Sequence, residues 1–189
     1  MRISLSNLGG TPVLAGAVRG QQLYLRLVEK LFAEPAGPEV LFLDFDAVEV
    51  ATASFLRESV LAIRDYVRDK KPMLYPVVAN ANDAVREELL EVLKFRREVI
   101  MSCLLDETGR VTRPAPIGEM EPKQQLTFDL VHSYGETDAA ELMRDHGDTE
   151  GTKHTTAWNN RLASLAVLGL VIEESRGRAK RYRPLFEGA

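Results

Sequence analysis

The sequence predicts two small domains: an α/β domain over residues 1–113 and a smaller α+β domain over residues 123–189. Three observations lead there. Upstream, apolar residues alternate between strand-like and helix-like periods, as in a sheet layered with helices. The segment RPAPIGEMEP, 113–122, sets Pro114, Pro116 and Pro122 around Gly118, and each proline pushes the residue before it away from helix, so residues 114–122 read as a linker. Downstream, three short helical patterns precede one basic hairpin.

Within the first domain, strands are expected at 3–8, 40–45, 73–78 and 99–105, the last returning through Asp106, Glu107, Thr108 and Gly109 to Val111. The run VLFLDF, 40–45, is apolar at nearly every position, as a strand covered on both faces must be. Helices separate the strands. Leu23, Leu27 and Leu31 share one face, as do Leu56, Val60, Ile63 and Val67, and then Val85, Leu89, Val92 and Leu93. Gly9, Gly10, Gly16 and Gly20 are spaced for turns.

Composition narrows the function classes. A hydrophobic content of 45% with 28% charged residues suits a globular protein and excludes a disordered or fibrous one. No apolar run reaches the length of a bilayer span, and no signal-peptide core follows Arg2, so no membrane association and a cytoplasmic location are expected. Cys103, the single cysteine, lies among Ile100, Met101, Leu104 and Leu105 and reads as a buried strand thiol. His132, His146 and His154 are too scattered to hold a metal. The net charge of −4 argues against a polyanionic partner, but SRGRAKRYR, 175–183, carries Arg176, Arg178, Lys180, Arg181 and Arg183 without an acid.

The stretch VLFLDFDAVEVATASFLRESV, 40–60, resembles the centre of STAS domains, and more closely the STAS-like proteins of unassigned function in bacteria and archaea. Asp44 matches the acid at the end of the central strand, Val48 the apolar loop position and Leu56 an early core position of the following helix. GGTPVLAGAVRGQQLYLRLVEKL upstream is similar to the glycine turn that leads into the family's first helix. The resemblance implies a mixed sheet with helices, and a partner kinase of the histidine-kinase-like ATPase class that phosphorylates a serine near the helix start. Here the Asp-Ser-Ser-Gly of that site is replaced by Thr52, Ala53, Ser54 and Phe55. The position that is phosphorylated in the family is thus Ala53, leaving Thr52 and Ser54 as candidate acceptors or as simple helix caps.

Asp44 and Asp46, two apart at a strand end, are the only hint of an active site, and no third acid or histidine falls predictably beside them. Neither a Gly-x-Gly-x-x-Gly run nor a phosphate-binding glycine-lysine loop occurs. No enzymatic activity, cofactor or metal is expected.

The second domain is more informative. Leu126, Leu130, Val131 and Tyr134 mark a first helix; a second begins with Thr137 as N-cap and Asp138 in its first turn, carries Ala140, Leu142 and Met143, and ends at Gly147. In HTTAWNNRLASLAVLGL, 154–170, Trp158, Leu162, Leu165 and Ala166 form one buried stripe, with Gly169 closing the helix. At 100° per residue, Lys153, Thr156, Asn160, Ala163 and Ser164 fall on the opposite side, flanked by Asn159 and Arg161. Asn suits adenine, Arg suits guanine, and Ala or Thr suits a thymine methyl. LVIEESRGRAKRYRPL, 170–185, then reads as strand, tight turn at Arg176 and Gly177, and return strand, with Leu170 and Ile172 facing the core.

Residues 157–185 resemble winged-helix transcription regulators, with Arg161, Ser164, Leu165, Leu168, Gly169, Leu170 and Val171 standing for the Arg-x-x-Leu-x-x-Leu-x-x-x-Gly-Leu pattern that precedes a basic wing. The resemblance implies double-stranded DNA as the partner, read by Lys153, Thr156, Asn159, Asn160, Arg161 and Ser164 and gripped by Arg176, Arg178, Lys180, Arg181 and Arg183. A palindromic operator would require a homodimer. The competing expectation is an adaptor that binds a histidine-kinase-like ATPase and another protein, without DNA.

Overall fold

A computed structural model describes residues 1–31, 35–151, 154–177 and 179–186. The chain is mixed α/β and divides into two compact units, Met1–Glu119 and Met120–Gly188.

The first unit is built on five strands in the order β1-β3-β5-β6-β7. β1 (Arg2–Ser4), β3 (Glu39–Asp44), β5 (Leu74–Ala79) and β6 (Ile100–Leu105) run parallel, and β7 (Val111–Ile117) returns antiparallel to β6. A separate two-residue parallel pair joins β2 (Val13–Leu14) to β4 (Val50–Ala51). Helices α1 (Leu5–Gly9), α2 (Ala17–Lys30), α3 (Ala53–Leu56), α4 (Ala62–Lys70) and α5 (Asp83–Arg96) fill the crossovers. A π segment, Arg57–Leu61, joins α3 to α4.

The periodic leucines and valines of all three helical patterns are buried, and they pack with Leu41, Leu43, Leu74 and Val78 of the sheet into one core. Burial of such stripes supplies most of a helix's stability in a domain this small.

Three local expectations change. Residues 5–8 are helical, because Ser4 accepts a hydrogen bond from the Asn7 amide and Gly10 (φ 73) closes the turn, so the strand ends at Ser4. The first four residues of the segment read as a linker are strand: residues 114–117 belong to β7, and the two units part at Glu119. Proline is tolerated there because β7 is an edge strand, and Arg113 (φ 49) lies at a register shift in the β6–β7 pairing. Gly20 lies inside α2 and not in a turn; a Cβ there would meet the Phe55 carbonyl oxygen at 2.8 Å, so it marks a close crossing of α2 over α3.

In the second unit, α6 (Pro122–Tyr134), α7 (Ala139–His146) and α8 (Thr155–Val167) are followed by the hairpin β8 (Val171–Arg176) and β9 (Ala179–Pro184). Thr137, between α6 and α7, makes an isolated bridge to Tyr182 of β9. This is the expected order of three helices and a hairpin. Pro122 opens α6, where its missing N–H costs nothing. Asp138, not Thr137, caps α7 by accepting from the Ala140 and Glu141 amides. The inner face of α6 is Thr127, Phe128 and Val131, while Tyr134 is exposed. Trp158, Leu162, Leu165 and Ala166 are buried as expected, and Gly169 (φ 73) ends α8 in the left-handed conformation. Among the described residues no helix is long and apolar enough to cross a membrane.

Two outcomes follow from these contacts. Gly20→Ala gains about 1 kcal/mol of helix propensity but drives a methyl into backbone, which costs about 1–3 kcal/mol in a packed core, so the Tm should fall. Cys103 is buried, and desolvation, helped by the Asp44 charge, raises its thiol pKa to about 11. It should resist iodoacetamide at pH 8 until the chain unfolds. Because the folded state holds that proton more tightly, stability should decline as pH rises from the ordinary thiol range toward about 11, as urea titrations at stepped pH would show.

Candidate nucleic-acid interface

The stripe that buries Trp158 and Leu162 obliges the other side of α8 to face solvent. There Thr155, Thr156, Asn159 and Asn160 are exposed, and among the described residues none of these side chains makes a hydrogen bond or ion pair. They form a small uncharged patch of amides and hydroxyls at the amino-terminal half of the helix. Val167, 71% exposed, continues the surface at the other end.

Two of the expected base readers are occupied. The Arg161 guanidinium lies 4.7 Å from the Trp158 ring centroid and donates to Glu150 Oε2 at 3.2 Å, leaving its side chain only 11% exposed. Its planar cation covers the aromatic ring and pins the loop before α8, a packing role. Ser164 Oγ accepts from Gln124 Nε2 at 2.8 Å and so fixes α8 against α6. Both sit on the flank of the helix, where a simple wheel cannot separate solvent from a neighbouring helix. Lys153 and Arg178 lie outside the described residues. Thr155, which the wheel left out, belongs to the exposed patch.

The hairpin turns through Gly177 (φ 66), with Arg176 paired to Ala179. Every expected wing cation in the described residues is already in an ion pair. Arg176 forks onto Glu136, Nη1 to Oε1 at 3.2 Å and Nη2 to Oε2 at 2.9 Å. Arg181 Nε donates to the same Glu136 Oε1 at 3.0 Å and Nη1 to Asp138 Oδ2 at 2.8 Å, with Glu141 at 3.6 Å. Lys180 meets Glu173 at 2.8 Å and Arg183 meets Glu174 at 2.9 Å across the hairpin. These contacts shift pKa values. Hydrogen bonds that Arg181 donates to Glu136 and Asp138 raise its pKa; for Asp138, burial pushes upward but the Glu141 amide and Arg181 outweigh it and the carboxyl is lowered. Burial, with Glu173 beside it, raises the Tyr182 hydroxyl.

The local positive charge expected at the wing is therefore compensated within its own unit. Glu173 and Glu174 were readable as partners, since the hairpin places acids opposite bases along EESRGRAKRYR. Glu136, Asp138 and Glu141 were not, because they approach only when the segment between α6 and α7 bridges to β9.

In the first unit, Thr52 caps α3: its Oγ1 accepts from the Phe55 amide at 3.4 Å and from Gly16 N at 3.2 Å. Ser54 Oγ stands 3.3 Å from it. The Ala53 amide donates to Glu88 Oε2 at 2.8 Å, so a carboxylate from α5 already holds the amide that would greet a phosphate. A phosphoryl group on Ser54 would add charge beside this acid. Asp44, 2% exposed, accepts from Arg2 Nε at 2.7 Å, Asn80 Nδ2 at 2.8 Å and the Asp46 amide at 3.1 Å. Asp46 itself is exposed, so the two acids do not converge on one point. No cluster of three metal-ligating residues occurs among the described residues.

Arg161→Met should destabilise the second unit by about 1–2 kcal/mol, from the lost cation–π contact and ion pair, with the change read in the Trp158 fluorescence melt. An unchanged melt would show that neither contact matters. No protein-family model matches this chain, and no curated protein matches it in sequence.

Proposed function

We propose that the chain is a cytoplasmic DNA-binding regulator: the second unit is a winged helix that reads duplex DNA, and the first is a STAS-like domain that senses a signal or mediates self-association. The observation that carries this reading is the bare patch Thr155, Thr156, Asn159 and Asn160 on α8, beside a hairpin with the order of a wing. Asn159 and Asn160 carry the donor and acceptor pair that recognises adenine in a major groove, and Thr155 and Thr156 add methyls and hydroxyls.

The wing then contributes less than its composition suggests. Surface ion pairs are worth about 0–1 kcal/mol each, so Arg176 and Arg181 can exchange Glu136 for a phosphate at little net gain. Specificity resides in the helix, and overall affinity is modest.

A second reading, an adaptor whose first unit binds a histidine-kinase-like ATPase and whose second unit holds another protein, is favoured by one observation: the wing cations are matched by acids from their own unit. A surface so neutralised suits a protein partner as well as a polyanion.

Selection of duplexes from a random pool by the full chain, followed by fluorescence anisotropy, separates the two. Asn159→Ala and Asn160→Ala should each weaken the selected duplex by about 1–3 kcal/mol while barely altering unselected DNA. Glu136→Gln should release Arg176 from its fork while Arg181 stays on Asp138, raise affinity several-fold and steepen the salt dependence by about one phosphate contact. If no duplex is enriched and Glu136→Gln binds none, the adaptor reading replaces the DNA reading.

A further inference from the structure

A cleft of about 330 Å³ opens in the first unit between the Gly9, Gly10 and Thr11 loop and one face of α2. Its floor is apolar: Leu14, Leu23 and Phe55 are each 2% exposed or less. Its rim is polar and cationic, formed by Thr11 with Arg19, Gln22 and Arg26, which the spacing of three and then four residues places along the same side of α2. None of the residues that line it is acidic.

Neither arginine of the cleft is matched by an acid among the described residues. In a chain of net charge −4, where the described wing cations are each engaged by acids, Arg19 makes no ion pair or hydrogen bond with the described residues and is exposed. Arg26 is anchored by one hydrogen bond, Nη1 to the Leu8 carbonyl at 2.8 Å, which leaves its other donors uncommitted. That bond ties α2 to the end of α1, so the second guanidinium is held at the cleft mouth and not swept by solvent. The glycine loop is held as well: Gly10 (φ 73) donates to Ser6 O, and Thr11 Oγ1 accepts from the Val13 amide.

We infer that this cleft is a binding site for a small amphipathic anion, a molecule with a phosphoryl or carboxylate head and a flat apolar body. The head is gripped by Arg19 and Arg26, whose planar forks match either oxyanion, with Gln22 as a neutral donor. The body lies over Leu14, Leu23 and Phe55, and the volume falls at the small end of ordinary ligand sites. Phe55 belongs to α3, whose cap Thr52 also receives the Gly16 amide, so an occupant would rest against the α2–α3 junction. This inference goes beyond the duplex reading and does not depend on it.

The test uses phenyl phosphate and benzoate as probes, with phenol and inorganic phosphate as controls, titrated into the full ¹⁵N-labelled chain. Saturable shifts of the Gly9, Gly10 and Thr11 amides by either aryl anion, with phenol and inorganic phosphate each binding at least about tenfold more weakly, support the site. Arg19→Gln should weaken the aryl anion about tenfold; because that side chain bonds to none of the described residues, the melting temperature should stay unchanged. The inference is overturned if neither aryl anion gives saturable shifts at these amides, if phenol binds as well, if inorganic phosphate alone binds as well, or if Arg19→Gln binds with unaltered affinity. No duplex enters this titration, so its failure leaves the reading of the second unit where it stands.

Discussion

Glu136 is the pivot of the second unit. One carboxylate, placed between α6 and α7, takes both Arg176 from the hairpin's tip and Arg181 from its return strand. Asp138 and Glu141 complete the arrangement from α7, and the Thr137–Tyr182 bridge lays the backbone alongside. Without these acids Arg176 and Arg181 would lose their closest partners beside the hairpin's other bases, and like charges so near one another repel in water. The acids therefore serve the fold first, and any contact the wing makes with another molecule must compete with them. Such competition is electrostatically shallow, because the pairs lie at the surface, where water and salt screen them.

Chemistry is distributed unequally between the units. In the second, the described cations of the hairpin are balanced by neighbours, and the bare amides and hydroxyls of α8 are neutral. In the first, Arg19 on α2 has no acidic partner among the described residues, whereas the carboxylates of Asp44 and Glu88 are consumed by structure: one ties β1 to β3 and the strand end at Asn80, the other caps a helix. With three donors on its buried carboxylate, Asp44 fastens the ends of β1, β3 and β5 together.

Much of the architecture was legible in the sequence because burial imposes a period. The leucine and valine stripes of α2, α4 and α5 and the Trp158 stripe of α8 were each visible as repeats, and each is buried. What the sequence did not disclose came from contacts between distant segments. Ser4 could be recognised as a cap only once Asn7 had turned back onto it; Gly20 could be distinguished from a turn glycine only by the carbonyl of Phe55 above it. On α8, Arg161 and Ser164 are one rotation from the exposed patch, and Trp158 and Gln124 decide their fate. The wing illustrates the limit most clearly: its bases lie within nine consecutive residues, but three of their acidic partners lie about forty residues away.

The last strand of the sheet has a consequence for how copies of this molecule coexist. β7 carries Pro114 and Pro116, which have no amide hydrogens, and it is bent where Arg113 departs from the ladder. A border of this kind offers an incomplete row of donors, so a foreign strand that docks there cannot zip along it. The opposite border, β1, is three residues long and too short to template growth. The sheet is thereby closed to extension at both ends, and crowding this protein at high concentration should not lead through edge-to-edge stacking to fibres.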